Sequence, residues 1–242
     1  MKILALETST HACSAALLEG SADRFSCIER FELAPRNHTK LILPMIDSVL
    51  DEAGYTIHQI DVLAYGRGPG AFTGVRVATG VVQAIAYGAD LPVAQISSLA
   101  GIAQGVYREK HQSYSIKQIL VANDARMGEV YFAAYVANEG FMIPVAQEQV
   151  IKPEALLALL KSGDFCNSRA NMAVGTGWLE YREQLADITA HCSFKDNYEF
   201  PHAQDIAYLA FKESSAQSLV KSEQVSPVYL RDNVAKKPKQ II

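Results

Sequence analysis

The chain has 242 residues, 49% hydrophobic and 20% charged, which is enough apolar material for one large domain or two small ones. A formal net charge of −4 excludes the broad positive surface with which many proteins bind nucleic acid unaided, so we expect RNA to be reached through a partner. The first apolar run is interrupted at Glu7, too early for a signal peptide, and no apolar stretch reaches membrane-spanning length. A cytoplasmic protein without membrane contact is therefore expected.

The hydrophobic pattern of the first half predicts three strands, followed by helix, strand, helix, strand and helix. The strands are expected at residues 3–6, 13–18, 25–33, 62–65 and 92–96, and the helices at residues 38–52, 73–87 and 98–107. Pro44 removes one hydrogen bond from the first helix, so a kink or a later start is expected there.

The second half repeats much of this order. It predicts strands at residues 119–124, 130–136 and 141–146, a helix at 153–161, a strand at 172–175 and a helix at 204–215. The shared order favours two related α/β subdomains over one long sheet, although identity between the halves is slight. The predicted subdomains are residues 1–110 and 111–242, with the last helix a candidate to pack back on the first.

A glycine-rich loop, Gly-Arg-Gly-Pro-Gly-Ala-Phe-Thr-Gly, joins a predicted strand to a predicted helix at residues 66–74. Thr73 is a candidate N-cap for a helix beginning near Val75, and the free amides of that helix could face an anion. No lysine follows in the arrangement of a P-loop. A tightly packed turn is the favoured interpretation, and anion binding is the alternative.

Polar residues follow the first strand, at the edge where ligands of open α/β sheets bind. The candidate nucleotide-facing residues are Glu7, Thr8, Ser9, Gly68, Gly70, Thr73 and Gly175. A solvated Glu7 and simple turns are the alternative. The Asp124–Glu129 stretch predicts a salt-bridged hairpin turn in which Gly128 supplies positive φ. The histidines are isolated and no Cys-x-x-Cys occurs, so no metal site and no catalytic residue is assigned.

Two predicted helices carry unusually wide apolar stripes. Their candidate interface residues are Leu41, Ile42, Met45, Ile46 and Val49 on the first, and Val75, Ala78, Val82 and Ile85 on the second. Such helices must be covered either by their own chain or by another one. A helical bundle with a partner is the favoured interpretation, and burial within a single chain is the alternative.

Five stretches of the sequence together resemble the TsaB (YeaZ) family. They are residues 3–10 (Ile-Leu-Ala-Leu-Glu-Thr-Ser-Thr), 36–39 (Arg-Asn-His-Thr) with Leu43-Pro44, 66–76, 124–131 and 229–231 (Tyr-Leu-Arg). The resemblance implies the two-lobed α/β fold shared by actin, hexokinase and Hsp70-type ATPases. It also implies a bacterial paralogue and partner of TsaD, which places threonylcarbamoyl on N6 of the adenosine next to the anticodon of tRNAs.

The resemblance further implies a non-catalytic subunit. TsaD-like chains carry a His-x-x-x-His metal pair where this chain has Ser98 and Ile102, and many TsaB members have Asp where this chain has Glu7. The implied partners are TsaD in a heterodimer, TsaE in a larger complex, a second copy when alone, and tRNA only through the complex. No resident cofactor is expected, and weak nucleotide binding is left open. The alternative is an autonomous ATPase or peptidase of the same fold.

Overall fold

The computed structural model describes residues 1–21, 24–110, 116–162, 171–189, 193–195, 200–215 and 218–231. The first lobe contains β1 (Lys2–Glu7), β2 (Ala12–Ser21), β3 (Arg24–Leu33), α1 (His38–Ala53), β4 (Val62–Gly66), α2 (Phe72–Ala89), β5 (Val93–Ile96) and α3 (Ser98–Lys110). The second group contains β6 (Gln118–Arg126), β7 (Glu129–Asn138), β8 (Phe141–Pro144), β9 (Gln149–Ile151), α4 (Pro153–Ser162), β10 (Asn171–Val174), α5 (Thr176–Glu180), α6 (Ala186–Thr189), β11 (Ser193–Lys195) and α7 (Ala203–Ser215).

The two sheets have the same topology. The first has the order β3-β2-β1-β4-β5, and the second, read in the matching direction, has the order β8-β7-β6-β10-β11, with β9 paired to β7. In the first sheet β1 is antiparallel to β2 and parallel to β4, and in the second β6 is antiparallel to β7 and parallel to β10. The duplication expected from the order of strands and helices is confirmed. The boundary at residue 110 stays a prediction.

The sheets and helices stack in five layers. One face of β1 contributes Leu4 and Leu6 to a core shared with α1 and α2. The other face contributes Ile3 and Ala5 to a core that α3 and α7 fill between the two sheets. A third core joins the far face of the second sheet to α4, α5 and α6. Because β1 is covered on both sides, its four central side chains, at residues 3–6, are all apolar.

Several predicted boundaries differ from the structure. Helix α2 begins at Phe72 after Ala71, so Thr73 lies inside the helix, exposed, and is not its N-cap. Helix α1 begins at His38 and continues through the exposed Pro44, so the proline does not reset its start. Strands β9 and β11 are too short to give a pattern that a sequence reading can detect. Among the described residues, no helix is both long and apolar enough to cross a membrane.

Candidate functional site

A cavity of about 720 Å³ lies between the two lobes, at the ends of β1 and β6. We call it the interlobe cavity. Its walls come from the turn after β1, the glycine loop, the β6–β7 hairpin, the start of α5 and the segment 228–231. Two of the predicted nucleotide-facing residues, Ser9 and Gly70, line this cavity, whereas Thr73 does not. The edge of the sheet named by the sequence is therefore the place where the cavity opens.

Glu7 is fully buried at the end of β1 and does not face water, so the alternative of a solvated Glu7 is wrong. The backbone N–H of Ser9 donates to Glu7 Oε1 at 2.5 Å, and the Ser98 hydroxyl donates to Oε2 at 2.9 Å. Burial raises the pKa of the Glu7 carboxyl, and these hydrogen bonds lower it in part. A Cβ added to Gly66 would overlap the carboxyl, so Glu7 occupies all the space beside β4.

The glycine loop packs against the turn after β1. A side chain at Gly70 would overlap the Ser9 carbonyl, and one at Gly74 would overlap the Thr8 carbonyl. The Thr8 hydroxyl donates to the Gly74 carbonyl at 2.7 Å and accepts from the Ala78 N–H at 3.1 Å. Close contact between two backbone segments thus accounts for these glycines, as the favoured interpretation of a packed turn requires.

Gly68 and Gly175 both adopt positive φ, at 96° and 107°. The Gly68 carbonyl accepts from the Ser98 N–H at 3.0 Å, which joins the loop to the start of α3. Gly175 lies against Ala122 and Asn123 at the end of β6, where no side chain would fit. Both positions are explained by backbone geometry, and a contact with nucleotide stays a prediction for them.

The hairpin between β6 and β7 forms the opposite wall of the interlobe cavity. Gly128 has φ 79°, and the guanidinium of Arg126 lies 3.1 Å from the Asp124 carboxylate, so the predicted salt-bridged turn is confirmed. The Asp124 carboxylate also accepts from the Tyr181 hydroxyl at 3.1 Å. The Asp124 carboxylate, which lines the cavity, is therefore already held by two partners from its own lobe.

The start of α3 offers no donor set for a metal. Ser98 is buried and its hydroxyl is used on Glu7, while Ile102 is a fully buried core residue. A metal pair needs two imidazoles or carboxylates with free electron pairs at this turn. These residues do not fit such an ion. In the described part of the chain, no group of three or more His, Cys, Asp and Glu side chains is placed to hold one.

The candidate interface side chains require a correction. Seven of them are buried inside the first lobe: Ile42, Met45, Ile46, Val49, Val75, Ala78 and Val82. All but Val75 belong to the core on the first sheet, so this apolar stripe is satisfied within the chain, which is the alternative the sequence left open. Only Leu41 and Ile85 are partly exposed. A partner that binds these two helices would therefore contact their outer faces.

The side of α2 along Gly80, Ala84 and Gly88 is open within the described residues, while Gln83 beside it donates to the Ser222 carbonyl at 3.1 Å. Side chains added at Gly80 or Gly88 would meet no atom within 4 Å, and Ala84 between them is exposed. Leu43 on α1 is 50% exposed and Tyr87 on α2 is 77% exposed. The residues at positions 80, 84 and 88 are small and the face is partly apolar, which permits close approach of another helix.

A cluster of one cation and two aromatic rings lies at the mouth of the cavity and could not be assigned from the sequence. The Arg76 guanidinium lies 3.3 Å from the centre of the Phe72 ring and 5.2 Å from that of Tyr229. Both rings are largely exposed, at 62% and 45%. In the sequence, the stretch Tyr229-Leu230-Arg231 contributes only to the family resemblance, because the residues that it contacts lie far away in the chain.

Two repeated lobes, each with the same five-stranded order and with a cavity between them, define a protein of the two-lobed actin-like ATPase fold. The model of the TsaD family, described as tRNA N6-adenosine threonylcarbamoyltransferase, matches residues 32–239. The tRNA threonylcarbamoyladenosine biosynthesis protein TsaB of Escherichia coli is 39% identical over 97% of this chain and 96% of its own length. The TsaB protein of Haemophilus influenzae is 40% identical over 97% of this chain and 95% of its own.

A solved structure of YeaZ from Pseudomonas aeruginosa agrees with these matches. It is 39% identical, has a TM-score of 0.81, and the alignment covers 95% of this chain and 99% of that one. The chain belongs to the TsaB (YeaZ) family.

Proposed function

We propose that this chain is the activating partner of TsaD in the formation of threonylcarbamoyladenosine on tRNA and that it has no transferase activity of its own. The observation that carries the proposal is the filled site at the end of β1. Glu7 is buried and bonded to Ser9 and Ser98, and Ile102 provides no metal ligand at the turn where TsaD-like chains have histidine. A site that presents neither a metal ligand nor a free acid has no means of activating a carbamoyl group.

The proposed contact with TsaD is a bundle of helices built on the outer faces of α1 and α2. The exposed Leu43 and Tyr87 and the open Gly80–Gly88 face support this assignment, because small residues let helix backbones approach closely. A second copy of the chain would use the same face when TsaD is absent. TsaE would join the resulting complex, and tRNA would be bound by the complex, since this chain carries a net negative charge.

Replacing Ala84 by Arg tests both parts of the proposal. The variant should fold, because Ala84 is an exposed helical position and Arg is a good helix former. It should bind TsaD at least about tenfold more weakly, since a long charged side chain would be forced into a close helix contact. Ala158→Arg on α4 is the matched control, because it makes the same change at another exposed helical position.

The readouts are light scattering for mass, calorimetry for TsaD binding, and transfer of threonylcarbamoyl from its adenylate to tRNA. The wild-type chain alone should show no multiple turnover, whereas the wild-type chain together with TsaD should show it. Ala84→Arg should lose dimerisation and stimulation together, while Ala158→Arg should keep both. Turnover by the wild-type chain alone would overturn the non-catalytic assignment. A folded Ala84→Arg that still binds TsaD normally would overturn the interface.

A further inference from the structure

The segment Ser226–Arg231 lies between the two lobes without regular secondary structure. We call it the strap. It follows the 3₁₀ helix at Ser222–Gln224, which is preceded by a bridge between Val220 and Val93 of β5. The strap therefore starts from the edge of the first sheet and ends at the β6–β7 hairpin of the second.

Hydrogen bonds at Ser226 and Val228 attach the strap to the first lobe, in addition to the contact of Tyr229 with Arg76. The Ser226 N–H donates to Gln95 Oε1 at 3.2 Å, and the hydroxyl of Tyr65 lies 2.8 Å from the Ser226 carbonyl oxygen. The Val228 N–H donates to the Arg67 carbonyl at 2.8 Å. Tyr65 is fully buried in β4, so one of these anchors belongs to the rigid core of the lobe.

One side chain attaches the strap to the second lobe. The guanidinium of Arg231 donates to the Arg126 carbonyl at 3.1 Å and pairs with the Glu129 carboxylate. It also lies 3.2 Å from the sulfur of Met127. Only 15% of the Arg231 side chain is exposed, so the guanidinium is held on three sides by one hairpin.

The strap also divides the space between the lobes. A second cavity of about 600 Å³ lies on its other side, against β5, β8 and α7. Val228 and Leu230 line both this cavity and the interlobe cavity of about 720 Å³. Removing the strap would join two moderate cavities into one continuous cleft between the lobes.

We propose that the strap is a built-in clamp that is attached to both lobes and keeps the cleft between them divided. The anchors on both sides are hydrogen bonds to backbone or to buried groups, and the strap side chains supply the partition. An ion pair between Arg67 and Glu148 at 3.1 Å is a second tie across the same gap, and it remains when the strap is released. The clamp concerns the conformation of the chain and stands apart from its role as a partner of TsaD.

Arg231→Met tests the clamp, because it removes the guanidinium and keeps a long apolar side chain. Hydrogen exchange followed by mass spectrometry should show residues 225–231 exchanging at least about tenfold faster, with peptides from β1 and β6 unchanged. Small-angle scattering should show an unchanged radius of gyration, because the core that α3 and α7 fill still joins the two sheets. Arg126→Met is the matched control: its guanidinium pairs with Asp124 inside the same hairpin, and it should change neither readout.

Tyr65→Phe tests the other end and removes only a hydroxyl, so the buried ring is retained. It should speed exchange in residues 225–231 about threefold. Faster exchange there with an unchanged radius of gyration in Arg231→Met supports the clamp. If Arg231→Met does not fold, the same two measurements on Tyr65→Phe decide the matter. Unchanged exchange in the strap would overturn the proposal.

Discussion

Glu7 and Gly66 are neighbours, and the position of the Glu7 carboxyl accounts for the absence of a side chain at Gly66. The Glu7 carboxyl fills the place that a side chain on β4 would take, and its two hydrogen bonds join the turn after β1 to the start of α3. Glutamate is one methylene longer than aspartate, and that extra length brings the carboxyl into contact with Gly66. The carboxyl thereby connects three segments of the first lobe instead of facing a ligand.

The space between these two residues leads to a prediction for a double-mutant cycle. Gly66→Ala should lower the free energy of unfolding by about 1–3 kcal/mol, because the new Cβ overlaps the Glu7 carboxyl in a packed core. In a Glu7→Asp background the same change should cost less, since the carboxyl is withdrawn by one methylene. Urea denaturation of the four proteins measures the coupling. Strictly additive costs would show that Glu7 is not the group that Gly66 accommodates.

At the scale of secondary structure, α7 depends on contacts with strands far away in sequence. The Ser14 hydroxyl accepts from the Ala203 N–H at 3.0 Å, and the Glu29 carboxylate accepts from the Gln204 N–H at 3.1 Å. Two of the backbone donors that begin this helix are thus satisfied by β2 and β3. Asp205, in the first turn, is fully buried and pairs with Arg108 of α3 at 2.8 Å. Tertiary contacts therefore fix where α7 begins.

His202, just before α7, makes that docking sensitive to pH. Its ring nitrogen Nδ1 lies 3.0 Å from the Glu29 carboxylate. Burial lowers the pKa of His202, but the hydrogen bond and charge of Glu29, with the charge of Asp205, outweigh burial and the opposing charge of Arg108. The net pKa is raised. Protonated His202 therefore stabilises the folded state below its unfolded pKa of about 6.5, and this contribution is lost as pH rises through the folded pKa.

We predict that His202→Gln lowers the free energy of unfolding more at pH 5.5 than at pH 8.5. Urea denaturation at both pH values provides the measurement, and the difference should be on the order of 1 kcal/mol. His58→Gln, at an exposed position on the short 3₁₀ helix Ile57–Gln59, is the matched control for the loss of an imidazole. An equal cost of His202→Gln at the two pH values would contradict the assignment.

At the scale of the whole molecule, the cleft lies at the sheet edge where open α/β folds bind ligands, and several of its polar groups are already paired. Glu7 is buried, Asp124 is held by Arg126 and Tyr181, and the Ala71 N–H already donates to the Ser9 carbonyl at 2.6 Å. A nucleotide with Mg²⁺ needs free amides and a carboxylate that can reach the ion. The alternative of an autonomous ATPase depends on such groups.

Calorimetry with ATP and Mg²⁺ on the isolated chain should therefore show no binding tighter than about 1 mM, and no phosphate release should follow. The physical reason is that Glu7 is buried and that the Asp124 carboxylate and the Ala71 amide beside the cavity are already paired within the chain. TsaD assayed in parallel is the positive control for active nucleotide and metal. Micromolar binding by this chain would contradict the expectation and restore the ATPase alternative.

The sequence by itself determined the order of most strands and helices, the repeat between the two halves and the edge of the sheet where the cavity lies. These features follow from local period, turn residues and the position of polar residues after buried strands. The same reasoning placed the hairpin at Asp124–Glu129 and its salt bridge. Short strands such as β9 could not be predicted in this way, because three residues are too few to show a hydrophobic period.

Only the tertiary structure decided which surface covers each apolar stripe. Met45 and Val82 avoid water equally well in a core or in an interface, and periodicity reports only that avoidance. Long-range contacts also decided that Glu7 is buried against Gly66 and that Arg231 joins the strap to a hairpin about a hundred residues earlier. Such contacts depend on how segments that are distant in sequence pack together, and a local pattern of residues does not specify that packing.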